Sequence, residues 1–339
     1  MSQPQPDGDT CSEALLFNKA LEWIESGYEV ALATVISTWG SSPRPVGSQL
    51  IIRDDNLFEG SVSGGCIEGE VVAAALSVIR DENVKTLEFG ISDAAAWEVG
   101  LTCGGQVKVF VQKITSNLKQ VLSDLKLTLQ EKRATALLID LSSGRTQLKE
   151  NRDHASEDLV RCFADDESGL ITFDGNKNIF AHILNPPLRM FIIGAVHIAQ
   201  ILSSMATQTG YEVVVIDPRD TWAENARFPG VTIDKRWPST ALEELSPNSR
   251  TAVVTLCHDP KLDDPALLVA LNSDAFYIGS LGSRKTHGKR IERLKLEGVS
   301  DELLNRIRAP VGLNIGARTT AEIALSIMGQ VTETLRRPK

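Results

Sequence analysis

The sequence predicts an α/β protein, an N-terminal mixed α/β domain followed by a Rossmann-like C-terminal domain with a doubly wound parallel sheet. Three observations carry this. Short apolar runs at 188–193, 212–216, 252–256 and 275–278 alternate with other segments, the first pair joined by a helical run, as parallel strands with crossover helices require. The first run leads at once into Gly194-Ala195-Val196-His197 and that helix, a strand–glycine–helix turn. Ahead of it, period-2 and helical segments are intermixed, and Pro186-Pro187 marks a boundary. The expected divisions are 12–115 for the N-terminal α/β domain, 116–187 for a small intermediate α+β region or linker, and 188–339 for the Rossmann-like domain.

In order along the chain, Ser12 has N-cap chemistry, and Phe17, Leu21 and Ile24 recur at helical spacing up to Gly27, a suitable residue beyond a helix end. Residues 29–36 read as a strand, 39–48 as a loop punctuated by two prolines and two glycines, and 50–53 as a strand closed by Asp54-Asp55-Asn56. A glycine-rich segment, 60–69, precedes a helical run at 71–80. Strands are expected at 85–89 and 107–114, a helix at 118–129 and a strand at 135–140. After the helix at 198–209, Gly210 breaks the chain before the strand that carries Asp217 at its carboxyl end.

The 339 residues suit about two domains, and 42% hydrophobic content lets each bury a core. A net charge of −9 argues against nucleic acid or an anionic membrane as principal partner, because both select basic surfaces. No apolar run approaches the ~18 residues of a membrane span, and no signal peptide is read at the N-terminus. Cys11, Cys66, Cys103, Cys162 and Cys257 are odd in number and irregular in spacing, so a reducing cytoplasm is expected rather than a disulfide framework.

Three constellations bear chemistry. At the first strand–helix turn, Gly194 and His197 would meet a ligand, Asp217 lies 23 residues on at the place of a ribose-binding acid, and Arg219 follows as a phosphate partner. Val196 stands where a dinucleotide fold has its second glycine. At later strand ends, His258 and the loop of Ser280, Gly282, Ser283 and Arg284 suit a phosphate, through exposed N–H groups and a bidentate guanidinium. In the N-terminal half, Ser63-Gly64-Gly65-Cys66 opens a helix, where N–H groups and the dipole favour an anion and lower a thiol pKa. Cys103 and Gly104 repeat the pairing of a cysteine with glycines. Neither cysteine has the spacing of a zinc site.

Taken in order, these motifs resemble the XdhC/CoxI family, accessory proteins that mature molybdenum hydroxylases such as xanthine dehydrogenase. The resemblance is carried by Gly40-Ser41-Ser42-Pro43-Arg44-Pro45-Val46-Gly47, Ser63-Gly64-Gly65-Cys66-Ile67-Glu68-Gly69 and Thr102-Cys103-Gly104-Gly105 in the first half. In the second half it rests on Asp217-Pro218-Arg219, Arg227-Phe228-Pro229, His258-Asp259-Pro260, the run 277–286 and the run 310–317. It spans about residues 13–335. The sequence differs from the family's usual pattern at Val196 and Asn314, where glycine and aspartate are common, and at Thr320 and Gly329-Gln330, where proline and Ala-Glu are common.

The resemblance implies a chaperone without turnover. It would bind the molybdenum cofactor as a mono- or dinucleotide form, protect it from oxidation, assist its sulfuration with a cysteine desulfurase, and insert it into an apo molybdenum hydroxylase. Cys66 would be the contact for molybdenum or for a sulfur in transit, and a homodimer is expected. A second reading stays open on the Rossmann turn, an NAD(P)-dependent oxidoreductase with His197 or His258 as general acid. A third is an interaction partner that binds no small ligand.

Overall fold

The computed structural model describes residues 9–40, 42, 44–65, 67–90, 105–151, 156–220 and 222–337, with the side chains of 9–13 outside the description. These residues form two compact units, Asp9–Pro186 and a second that begins at Pro187. Among them, no helix is long and apolar enough to cross a membrane.

The first unit runs α1 (Asp9–Glu25), β1 (Val30–Trp39), β2 (Gln49–Arg53), β3 (Phe58–Gly60), α2 (Glu68–Asp81), β4 (Lys85–Phe89), β5 (Gln106–Lys113), α3 (Ser116–Gln130), β6 (Thr135–Asp140), β7 (Thr146–Glu150), α4 (Glu157–Asp165), β8 (Gly169–Phe173) and β9 (Asn176–Leu184). Helix α1 begins at Asp9, so Ser12 lies within it rather than at its cap. Asp9 and Thr10 offer the same capping chemistry, so residue type alone does not set the start. The helix closes where the Tyr28 N–H donates back to the Trp23 carbonyl at 3.1 Å, with Gly27 at φ +91°.

Strands β3-β2-β1-β5-β4 make one antiparallel sheet and β7-β6-β9-β8 another. Strand β1 is buried on both faces, which is why it reads as a continuous apolar run. Ala31, Ala33 and Val35 meet Val71, Ala75 and Val78 of α2. Val30, Leu32 and Ile36 meet a second core formed by α1, α3 and the inner face of the other sheet, including Phe180 and Leu184. Residues 116–186, distinct in the sequence as an intermediate region, thus share a core with the N-terminal residues. The far face of their sheet is covered by Leu159 and Phe163 of α4.

The second unit runs β10 (Arg189–Ile193), α5 (His197–Gln208), β11 (Glu212–Ile216), β12 (Thr232–Asp234), α6 (Pro238–Leu245), β13 (Thr251–Thr255), α7 (Pro260–Leu271), β14 (Tyr277–Ser280), α8 (Arg284–Leu296), α9 (Asp301–Leu304), β15 (Ile307–Arg308) and α10 (Thr320–Arg336). Its six strands are parallel in the order β12-β11-β10-β13-β14-β15. That is the Rossmann order, with its topological switch between β10 and β13. Helices α5 and α10 cover one face through Ala199, Leu202, Ile327 and Val331. Helices α6, α7 and α8 cover the other through Leu242, Leu267, Ala270 and Leu294. Gln330 ties α10 to the sheet edge by accepting from Tyr277 Oη at 2.7 Å and from the Gly312 N–H at 2.9 Å.

Phe180 is fully enclosed where the two sheets of the first unit share a core. Phe180→Ala is expected to lower the unfolding free energy of that unit by about 3–5 kcal/mol, read as a reduced denaturation midpoint in urea.

Candidate functional site

The switch point is built at the carboxyl ends of β10, β11 and β13. Gly194 follows β10 at φ +104°, and a Cβ there would lie 2.4 Å from Cys257 Sγ, so only glycine fits between the two strand ends. The next N–H, of Ala195, donates to Asp217 Oδ2 at 2.8 Å. Asp217 is wholly buried and accepts three more hydrogen bonds from Arg219: backbone N at 3.0 Å and Nε at 2.9 Å on Oδ1, and Nη2 at 2.7 Å on Oδ2. Burial works to raise its pKa, but the Arg219 side chain and the N–H groups of Ala195 and Arg219 outweigh burial and hold it below its ordinary value. Each carboxylate oxygen thus has two donors, which matches its two lone pairs. Asp217 and Arg219, expected from sequence to meet a ribose and a phosphate, are here joined to each other.

Arg219 also reaches across the switch, its Nη2 lying 3.9 Å from Cys257 Sγ. Burial, joined by the charge of Asp263, pushes the Cys257 thiol up to about 12, so it stays protonated at neutral pH. Trp222 is held between two guanidinium groups, 5.1 Å from that of Arg219 and 5.5 Å from that of Arg227. Arg227 Nη1 donates to the Ala195 carbonyl at 3.0 Å, so the glycine turn is braced from this side too. His197 begins α5 on the surface, with Nδ1 3.0 Å from Gln200 Oε1.

At the neighbouring strand ends, Ser280 is fully buried, its Oγ 2.5 Å from Thr255 Oγ1, so its hydroxyl serves a cross-strand contact. Gly282 takes φ +139°, and Ser283 caps α8 by accepting from the Thr286 N–H at 3.2 Å. His258 and Arg284 are exposed. A cleft of about 310 Å³ lies here, lined by His258 together with Asp263, Lys285, Lys289, Arg290 and Arg293. Of these the sequence reading singled out His258 and, at the end of the Ser280 loop, Lys285. The signal for the others is the four-residue spacing of Lys285, Lys289 and Arg293, which puts them on one helix face.

In the first unit, the loop before α2 is folded around a carboxylate of its own chain. Glu68 Oε1 accepts from the N–H groups of Ser63 at 3.0 Å and Gly64 at 3.1 Å, and Oε2 from that of Gly65 at 2.9 Å. The hydroxyls of Ser61 and Ser63 add bonds of 3.0 and 2.6 Å. The N–H groups expected to receive an external anion therefore hold Glu68, a residue the sequence reading assigned no role. Burial opposes its ionisation, but the Ser63 and Ser61 donors prevail and bring its pKa down to about 2. Cys66, Cys103 and Gly104 lie outside the described residues. Among the described residues, no group of three His, Cys, Asp or Glu is placed to hold a metal ion.

Two outcomes follow from this geometry. Glu68 has a folded pKa below its ordinary 4.5, so its contribution to stability is fully present above about pH 4.5 and is lost as pH falls towards 2. The advantage of the charged form is at most about 3 kcal/mol, and Glu68→Gln is expected to flatten the acid limb of a stability-versus-pH profile between pH 4.5 and 2. Gly194→Ala is expected to destabilise by about 2–4 kcal/mol, because it adds both a contact with Cys257 and a disfavoured φ. Adding Cys257→Ala removes the contact but not the backbone strain, so denaturation of the double variant should show partial recovery.

Comparison with known proteins places these loops in a family. A family model described as the XdhC Rossmann domain matches residues 190–331, and one described as the XdhC and CoxI family matches residues 23–90. The chain is 29% identical over 313 residues to a molybdenum cofactor insertion chaperone, PaoD, of Escherichia coli strain K12, covering 92% of this chain and 85% of that protein. It is 26% identical over 325 residues to a probable xanthine dehydrogenase subunit of Bacillus subtilis strain 168, covering 93% of this chain and 96% of the relative. In fold it is similar to a crystal structure described as a xanthine dehydrogenase from Bacillus halodurans, with a TM-score of 0.71 at 24% identity over 95% of this chain and 96% of that one. Matched in order by both family models, the chain belongs to the XdhC and CoxI family.

Proposed function

We propose that this protein is a molybdenum cofactor chaperone, which binds the cofactor and inserts it into a molybdenum hydroxylase of the xanthine dehydrogenase type. The observation that carries this reading is the near full-length similarity to a molybdenum cofactor insertion chaperone. On this reading the protein turns nothing over. It protects the cofactor from oxidation, and a cysteine desulfurase acts on the bound cofactor to sulfurate it before delivery. The working form is a homodimer.

The cofactor is cargo, with a sulfur-rich metal end and a phosphate end. Cys66, at the entrance to α2, is the proposed contact for molybdenum or a transferred sulfur, since thiolates suit soft metal centres. Ser63, Gly64 and Gly65 support that loop through Glu68 rather than by binding the cargo with their own N–H groups. Cys103 and Gly104 are proposed to complete the metal end. In the second unit, His258, Gly282, Ser283 and Arg284 surround the proposed phosphate end, while Gly194, His197, Asp217, Arg219 and Ser280 shape the strand ends beside it.

The NAD(P) reading fares worse on a specific observation. An adenosine ribose needs a carboxylate with free acceptors at the end of the second strand, and Asp217 there already receives four donors within 3.0 Å. Anaerobic equilibrium binding tests both readings together. The cofactor should bind wild type, be unaffected by excess NAD(P)H, and be retained less well by Cys66→Ala at unchanged thermal stability. Binding of NAD(P)H alone would overturn the proposal in favour of an oxidoreductase.

A further inference from the structure

We propose that the cleft between the start of α7 and the facing side of α8 is a phosphate-binding subsite, which takes a phosphate monoester group of an organic ligand against Lys285, Lys289 and Arg290. The central observation is Arg290. It is 2% exposed, its Nη2 donates to the Leu281 carbonyl at 2.9 Å, and its Nε and Nη1 have no partner. A guanidinium withdrawn from water with donors unmet is costly, and an acceptor brought to the cleft removes that cost. Asp263 shares this wall of the cleft but does not satisfy it. Its Oδ1 accepts the Cys257 N–H at 3.3 Å and its Oδ2 is unpartnered.

The balance of charge points the same way. Lys285, Lys289, Arg290 and Arg293 bring four cations to the lining, and of the two carboxylates only Asp264 forms an ion pair, with Arg293 at 2.5 and 3.0 Å. Burial pushes the Asp263 carboxyl up to about 6, so its opposition to an incoming anion falls away below that pH. Helix α8 spans 13 residues and begins at this cleft with its first turn capped by Ser283, so its dipole adds positive potential at the mouth. Lys285 and Lys289 lie one turn apart on that helix and are exposed, placed to meet phosphate oxygens from the solvent side. A dianion with several acceptor oxygens matches this set better than a carboxylate, which carries one charge. At about 310 Å³ the cleft holds a phosphate and the few atoms that join it to a larger ligand. That this ligand is the molybdenum cofactor, whose pterin bears such a phosphate, rests on the function proposed above.

The test uses the full chain and inorganic phosphate as probe, titrated by calorimetry at constant ionic strength against sodium chloride. Wild type should bind phosphate with saturation, and the Lys285→Ala/Lys289→Ala double variant should bind it at least about ten-fold more weakly. Arg290→Gln should lose binding altogether; should it fail to fold, the double variant, altered only at exposed positions, carries the test. Equal phosphate affinity in wild type and double variant, or a response reproduced by chloride, would overturn the subsite. Cofactor binding measured in parallel separates the two proposals. Cofactor held equally by both proteins, with phosphate undiscriminated, removes the subsite and leaves the chaperone reading. Phosphate binding lost in the double variant, with no cofactor bound by either protein, keeps the subsite and removes the chaperone reading.

Discussion

A carboxylate taken out of water must find hydrogen-bond donors or lose its charge, and two glycine loops of this protein are organised by that constraint. Glu68 collects the N–H groups of the loop that opens α2, and Asp217 collects Ala195 and Arg219 at the turn that opens α5. In each case a loop rich in donors, which in isolation would attract an anion from solution, closes on an anion of its own chain. Their glycines take positive φ because the backbone must curl around the acceptor: Gly64 at +81°, Gly65 at +119° and Gly194 at +104°.

This closure redirects the search for ligand chemistry in the second unit. A parallel sheet in the Rossmann order offers a crevice at its switch point, but Arg219, Cys257 and Trp222 occupy the mouth of the β10, β11 and β13 ends. Val196, which replaces the glycine that would let a pyrophosphate approach, is consistent with a crevice put to structural use. The unmet donors and the excess positive charge lie instead one strand along, beyond β13 and β14, where Arg290 sits under Lys285 and Lys289. The fold keeps the general rule that ligands are met outside strand carboxyl ends while shifting the place.

The architecture was legible where side-chain periodicity is strong. The apolar runs at 188–193 and 212–216 contain β10 and β11, and the glycine turn between them marks the start of α5. Short edge elements such as β3, β12 and β15 were not legible, because two or three residues are too few to show a period. At the site, spacing placed Asp217 at the right strand end, but spacing does not say which donors a carboxylate finds; that depends on the rotamer of Arg219, two residues on. Ser280 read as a loop residue because the glycines beside it suggested a turn. The strand runs two positions further and turns the hydroxyl onto Thr255. Arg290 carried no signal of its own, since a cation among many on a basic helix reads as solvated until the fold buries it.

The central claim is that this family member carries molybdenum cofactor to a hydroxylase, and reconstitution tests it most directly. An apo molybdenum hydroxylase would be given equal amounts of cofactor, either free or preloaded on this protein, under anaerobic conditions, and the recovered activity followed over time. The account predicts faster recovery and a higher final activity from the loaded protein. Recovery no better than with free cofactor, from protein shown to hold the cofactor, would contradict it.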